Sequence, residues 1–198
     1  MANKTPTLTD LFEKYRYDRS IYKKSSTWFD QQTLLLGKKR FTPQQILAAK
    51  RDNLTTKVIP GNMYMFFYEA KGKDTLPYWD KFPLIFPFRV VPGGFYGLNM
   101  HYLPYRMRLQ LMDRLLQFKN NEKFNETTRI KYSWSLIGGV SKFKAAEPCV
   151  KHYLNDHVRS PFIQIHAQDW ATAMMLPVER FVGSNKNAVW SDSKKAIR

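Results

Sequence analysis

Apolar residues crowd the stretch 63–118, and they do so in two different rhythms. Met63-Tyr64-Met65-Phe66-Phe67-Tyr68 is a continuous apolar and aromatic run, long enough for one buried strand. A basic loop, Lys71-Gly72-Lys73, leads to Leu76-Pro77-Tyr78-Trp79-Asp80 and then to a second apolar run over 82–91. Pro92-Gly93-Gly94 supplies the backbone freedom of a turn, and residues 95–103 return as another strand. Pro104 suits the first turn of a helix, where its missing N–H costs nothing. Over 105–119 the positions Met107, Leu111, Met112, Leu115, Leu116 and Phe118 recur at helical spacing. Arg106, Arg108, Arg114 and Lys119 fall mostly outside that stripe.

The flanks are patterned less strongly. Leu8, Leu11, Phe12 and Tyr15 predict a short helix within 7–24, and Thr42-Pro43-Gln44-Gln45 has the form of a capping box that opens a helix over 43–52. Pro60-Gly61 breaks the chain there, which divides it into an N-terminal arm with short helices (1–60) and a core (61–198) with a basic C-terminal segment. Beyond the centre, residues 129–140 alternate like a strand, with a helix as competitor. Val150, Tyr153, Leu154, His157 and Val158 recur at helical spacing and predict an amphipathic helix over 147–158. Residues 162–166 read as a strand, 170–176 as a short segment capped by Asp169, and 184–198 as a terminal helix anchored by Trp190. The expected class is α+β: a small, strongly curved antiparallel sheet or partial barrel from 62–103, extended by C-terminal strands. Amphipathic helices at 43–52, 104–119 and 147–158 cover it.

Charge changes what such a domain would meet. The chain of 198 residues carries 32 Lys and Arg against 16 Asp and Glu, a formal net charge of +16. A field of that size selects nucleic acid, anionic surfaces or acidic proteins. It is spread along the chain rather than gathered in a tail. Hydrophobic residues at 43% and aromatics at 15% argue against a wholly disordered chain. Cys149 is the one cysteine, which excludes an internal disulfide framework and a cysteine-based metal cluster. The start lacks the apolar core of a secretory signal, and no run of about 18 apolar residues occurs, so no membrane partner is expected.

Chemistry that needs converging groups is hard to find. His101, His152, His157 and His166 show no zinc-hydrolase spacing and read as structural or surface histidines. Gly93-Gly94-Phe95-Tyr96-Gly97 lacks the lysine of a phosphate loop. A nuclease would need clustered carboxylates, and Asp74, Asp80 and Asp113 are the candidates if the fold brings them together. Cys149 would share a helix face with His152, but a nucleophile also needs an oxyanion site. No cofactor is implied, and no catalytic turnover is expected. The positive signal is the interleaving of basic and aromatic residues. Lys38, Lys39, Arg40, Lys50, Arg51, Arg106 and Arg108 are the candidate phosphate contacts. Tyr15, Tyr17, Tyr22 and Trp28 are candidate anchors of the arm on a neighbouring subunit.

Four phrases point further: Leu76-Pro77-Tyr78-Trp79-Asp80-Lys81-Phe82-Pro83-Leu84, Gly94-Phe95-Tyr96-Gly97-Leu98-Asn99-Met100-His101-Tyr102-Leu103-Pro104, His157-Val158-Arg159-Ser160 and Leu176-Pro177-Val178-Glu179-Arg180-Phe181. Together they resemble a family of small basic proteins of large contractile-tailed bacteriophages, over about residues 60–190. The resemblance implies a virion protein assembled in the host cytoplasm, within a multi-subunit assembly and with other virion proteins as partners. It allows two placements: a structural subunit of the neck, tail or baseplate, or a DNA end protector acting at head completion. The dispersed charge and the lack of a base-reading motif favour the structural subunit, with double-stranded DNA as a secondary partner. The end protector is the alternative, and a metal-dependent nuclease the second. No functional residue of the family maps onto a position here.

Overall fold

A computed structural model of the chain describes residues 54–117 and 144–198. The arm up to residue 53, the helix expected at 43–52 and the segment 129–140 lie outside the described residues. Six strands form one antiparallel sheet: β1 (Leu54–Thr55), β2 (Met63–Met65), β4 (Leu84–Val91), β5 (Gly94–Asn99), β6 (Val150–Leu154) and β7 (Phe162–Ile165). Their order is β1-β7-β2-β4-β5-β6, so the sheet is open and not closed into a barrel. β3 (Trp79–Asp80) and β8 (Phe181–Val182) make a separate two-stranded ribbon. The described helices are α1 (Tyr105–Gln117), α2 (Trp170–Met175) and α3 (Lys186–Ile197). This is the expected α+β class.

At the centre of the sheet both faces are buried, which is why the run at 63–68 shows no polar alternation. Met63 and Met65 face the main core with Leu84, Phe86 and Leu98, together with α1 and α2 residues such as Leu109 and Met174. Tyr64 and Phe66 face the other way, into a smaller cluster with Ile85, Phe95, Tyr153 and Phe162. There Phe66 meets Phe162 at 4.8 Å and Tyr153 at 5.4 Å between ring centroids, both edge to face, the arrangement the ring quadrupole prefers. The expected turn at 92–94 is present, closing β4 on β5 with Val91 opposite Gly94; Gly93 sits at φ +75°, which suits a residue without Cβ. Pro87 is tolerated within β4 because the ladder slips by a residue between Pro87 and Arg89.

Two expectations need correction. The second strand was expected to run to residue 103, but β5 stops at Asn99. The Asn99 side chain accepts the His101 N–H at 3.0 Å and turns the chain into a 3₁₀ turn over Met100–Tyr102. The larger correction concerns residues 147–158, which form β6 between two 3₁₀ turns and not a helix. β5 offers an open row of backbone donors and acceptors on that side. Val150–Leu154 fills it in register, from Leu98 opposite Val150 to Gly94 opposite Leu154. Tyr153 thereby joins the aromatic cluster and Val150 the main core, so the same apolar residues are satisfied at strand spacing.

β5 and β6 approach so closely that a Cβ on Gly94 would overlap the Tyr153 carbonyl oxygen. Gly94→Ala therefore forces a backbone shift and is expected to cost about 1–3 kcal/mol. Denaturant unfolding measures that cost, and faster hydrogen exchange confined to β6 amides would locate it. An unchanged midpoint would show that the strands part without penalty.

Candidate nucleic-acid interface

Helix α1 starts after Pro104, whose carbonyl accepts the Arg108 N–H at 3.0 Å. Its buried positions include Tyr105, Arg108, Leu109 and Met112, a spacing that carries Arg108 into the core with them. Arg108 is 0% exposed. Its Nε donates to the Leu103 carbonyl at 2.6 Å, Nη1 to Met174 at 3.0 Å and Nη2 to His101 at 3.3 Å. Nη2 also forms a close ion pair with Glu179 Oε1. Tyr105 donates to the other Glu179 oxygen at 3.3 Å. The guanidinium lies over the rings of Tyr105 (4.6 Å) and Trp190 (5.5 Å). Burial alone would raise the Glu179 carboxyl, but Arg108, His101 and Lys186 hold it below its usual value.

A second buried knot adjoins the first. Asp80 Oδ1 accepts the N–H of Phe82 at 3.0 Å and of Arg180 at 3.4 Å, while Oδ2 accepts from Asn99 Nδ2 at 3.1 Å and from His101 Nδ1 at 2.7 Å. A carboxylate only accepts, so Nδ1 carries the proton of that bond. His101 Nε2 has no hydrogen-bond partner among the described residues. Burial would raise Asp80 as well, and the His101 ring, Asn99 and the Phe82 N–H bring it down. The His101 carbonyl joins the two knots by accepting from Arg108 and, at 2.8 Å, from Trp190 Nε1. Three of the four phrases singled out in the sequence meet here, in Asp80, His101 and Glu179. The remaining phrase braces residues 67–69: Ser160 Oγ accepts the Phe67 N–H at 2.8 Å and Arg159 Nε reaches Glu69 at 3.1 Å.

Above this framework opens a cleft of about 410 Å³. Its walls come from the 70–79 loop with Tyr78 and Trp79, from Tyr102 and from Lys151 on β6, while Asp80 and Asn99 also line it. Lys151 Nζ stands 4.1 Å over the Tyr102 ring. Burial holds its ammonium below the ordinary lysine value, and no carboxylate forms an ion pair with it among the described residues. A larger hollow of about 560 Å³ lies beside Lys57, Val90 and Pro161, but Lys57 is exposed there and no charged group is buried in it. The smaller cleft is the chemically distinctive one: a half-buried cation among aromatic faces, a combination suited to a phosphate with an attached ring.

The residues expected to touch phosphates are placed unevenly. Arg106 is exposed on α1. Arg108 is a correction: it is wholly buried and each of its three guanidinium nitrogens is hydrogen-bonded inside the core, so it is unavailable to DNA. Lys38, Lys39, Arg40, Lys50 and Arg51 lie outside the described residues, as do Tyr15, Tyr17, Tyr22 and Trp28. Of the carboxylates considered for a nuclease, Asp80 is buried with both oxygens occupied, Asp74 is exposed, and the Asp113 side chain is outside the description. Among the described residues no three His, Cys, Asp or Glu side chains gather as a metal-binding group, and no helix is long and apolar enough to cross a membrane. Cys149 is a free thiol, fully buried and pushed up to about 12 by that burial. Because residues 147–158 are not helical, it does not share a helix face with His152, which instead stacks on Tyr96 at 4.5 Å. Lys151, Tyr78, Trp79 and Tyr102 escaped sequence reasoning. Reading Lys151 and Tyr153 as alternate positions of a strand would have brought the lysine to the aromatic face.

The site is thus an aromatic, cationic cleft set over buried polar knots in a basic α+β chain. The chain belongs to the Phage T4 terminal DNA protecting protein family, whose family model matches residues 16–195. No curated protein and no solved structure matches it.

Losing Arg108 strands a buried carboxylate and removes the donor from three carbonyls. Arg108→Met is expected to cost about 3–5 kcal/mol in denaturant unfolding at neutral pH. Glu179→Gln should cost less, since its amide oxygen still accepts from Arg108. A cost below about 1 kcal/mol for Arg108→Met would refute the structural role.

Acid should act through the same groups. Asp80 and Glu179 both titrate lower when folded than unfolded, so the unfolded chain binds more protons on acidification. Their contribution is fully present above the ordinary carboxyl range, at about pH 4, and is lost as pH falls through the lowered values. Glu179→Gln is expected to flatten that acid loss in a pH series of unfolding midpoints; a profile parallel to wild type would contradict it.

Proposed function

We propose that this chain is a phage DNA end protector that binds the ends of the linear double-stranded genome in the virion and shields them by occlusion, without catalytic turnover. The observation that carries the reading is the family match over residues 16–195. It speaks for the end-protecting role over a neck, tail or baseplate subunit. The geometry agrees in kind. A net charge of +16 gives long-range attraction to phosphates, and the cleft adds a half-buried cation, Lys151, that forms no ion pair with a carboxylate among the described residues. Occlusion needs no metal and no nucleophile, and the occupied oxygens of Asp80 leave it poorly suited to hold a metal ion. In this reading residues 1–60 are an arm whose basic clusters at 38–40 and 50–51 lie along the DNA backbone. Tyr15, Tyr17, Tyr22 and Trp28 dock the arm on other virion proteins. Arg106 adds a phosphate contact from the core.

An exonuclease that requires a free duplex end provides the test. Full-length protein is expected to slow digestion of linear duplex, with protection falling steeply as salt rises. Arg106→Ala should lower the salt slope by about 1 without changing stability, and charge reversal at Lys38, Lys39 and Arg40 should abolish protection. Unprotected ends at low salt would overturn the reading. So would magnesium-dependent digestion by the protein itself that is lost in Asp80→Asn, which would favour the nuclease.

A further inference from the structure

The cleft carries a more specific consequence, which rests on the end-binding reading. Its volume of about 410 Å³ lies within the range of about 300–1,000 Å³ that holds single small molecules. A duplex cannot enter it, but one unstacked nucleotide can. Lys151 stands over Tyr102 with no carboxylate paired to it among the described residues, while Lys71 lies at the exposed rim. Tyr78 and Trp79 offer ring surface beside them. We propose that the cleft receives the terminal nucleotide of a DNA strand, with its base against the aromatic rings and its phosphate on Lys151 and Lys71.

The physics makes such a site selective for ends. An interior nucleotide must break stacking on both sides to leave the helix, whereas a terminal one breaks it on one side only, and unstacking costs a few kcal/mol. Stacking also accepts any base, because every base has a π face. Asp80 cannot bias the choice, since its oxygens are already bonded to Phe82, Asn99, His101 and Arg180. The cleft therefore recognises that a strand ends, irrespective of its last base. A phosphate would also give the half-buried ammonium of Lys151 a counter-charge that no carboxylate among the described residues supplies.

The test compares full-length protein on a blunt linear duplex and on the same duplex closed at both ends by hairpin loops. Wild type is expected to prefer the open duplex. Lys151→Met keeps the aliphatic stem but removes the charge; it should weaken open-end binding about tenfold and leave closed-duplex binding within about twofold, as should Tyr78→Ala. In parallel, wild type is photocrosslinked to duplexes carrying 5-iododeoxyuridine at the 5′ end, the 3′ end or an interior position. Terminal probes should attach to peptides containing Tyr78, Trp79 or Tyr102, and the interior probe should not. If wild type prefers open ends but the terminal probes attach elsewhere, or both variants keep the preference, the cleft assignment is overturned while end binding stands. If wild type shows no preference for open ends, end binding itself fails and takes this inference with it.

Discussion

A guanidinium held wholly out of water must have its donors satisfied, and that requirement at Arg108 organises the core. Its bonds reach the carbonyls of His101, Leu103 and Met174 and the carboxylate of Glu179. One side chain thus fixes the turn before α1, the end of α2 and the segment leading into β8. Trp190 and Tyr105 close the ring faces over it, which also docks α3. Such a centre is stable only when complete, because each missing partner leaves a desolvated charge or carbonyl behind. The Asp80 knot extends the same logic to the β3–β8 ribbon through Phe82, Asn99, His101 and Arg180.

The sheet supplies the rigid counterpart. With one face against the helices and the other against a cluster of packed rings, the central strand β2 and the first half of β4 are buried on both sides, which fixes their register. β6 closes the edge of β5 and brings Lys151 opposite Gly97, beside the ribbon that the Asp80 knot holds. The cleft is therefore bounded by a strand, a ribbon and the 70–77 loop that follows the braced residues 67–69. Binding on walls already in place loses little to ordering them.

This arrangement separates two uses of positive charge. In the proposed reading the exposed basic residues would act at a distance, and their attraction to DNA would weaken with salt. Under the proposal Lys151 would act at contact, half-buried over the Tyr102 ring, where an ionic interaction is stronger than in open water. In the proposed end-binding reading both have a use: the first would bring the protein to DNA, and the second would distinguish an end from the rest of the helix. Membership of the terminal DNA protecting family gives that division its context.

Local periodicity determined part of this from the sequence alone. The turn at Pro92 to Gly94, the helix after Pro104, the strand at 162–165 and the terminal helix anchored by Trp190 all follow from spacing, proline and glycine positions. The four phrases also pointed to a phage protein and the +16 charge to a polyanion, although the dispersed charge favoured a structural subunit over the DNA end protector that the family match supports. Elsewhere the tertiary structure decided. Val150 to Val158 carry helical spacing, yet the open edge of β5 drew Val150–Leu154 into a strand, because paired backbone groups and buried rings outweigh a short amphipathic pattern. Arg108 lies at buried spacing with Tyr105, Leu109 and Met112, but only a carboxylate 71 positions away makes burying it tolerable. The cleft is hidden for the same reason. Tyr78, Tyr102 and Lys151 stand far apart in the chain, and it is the sheet pairing and the two polar knots, all long-range contacts, that set them side by side.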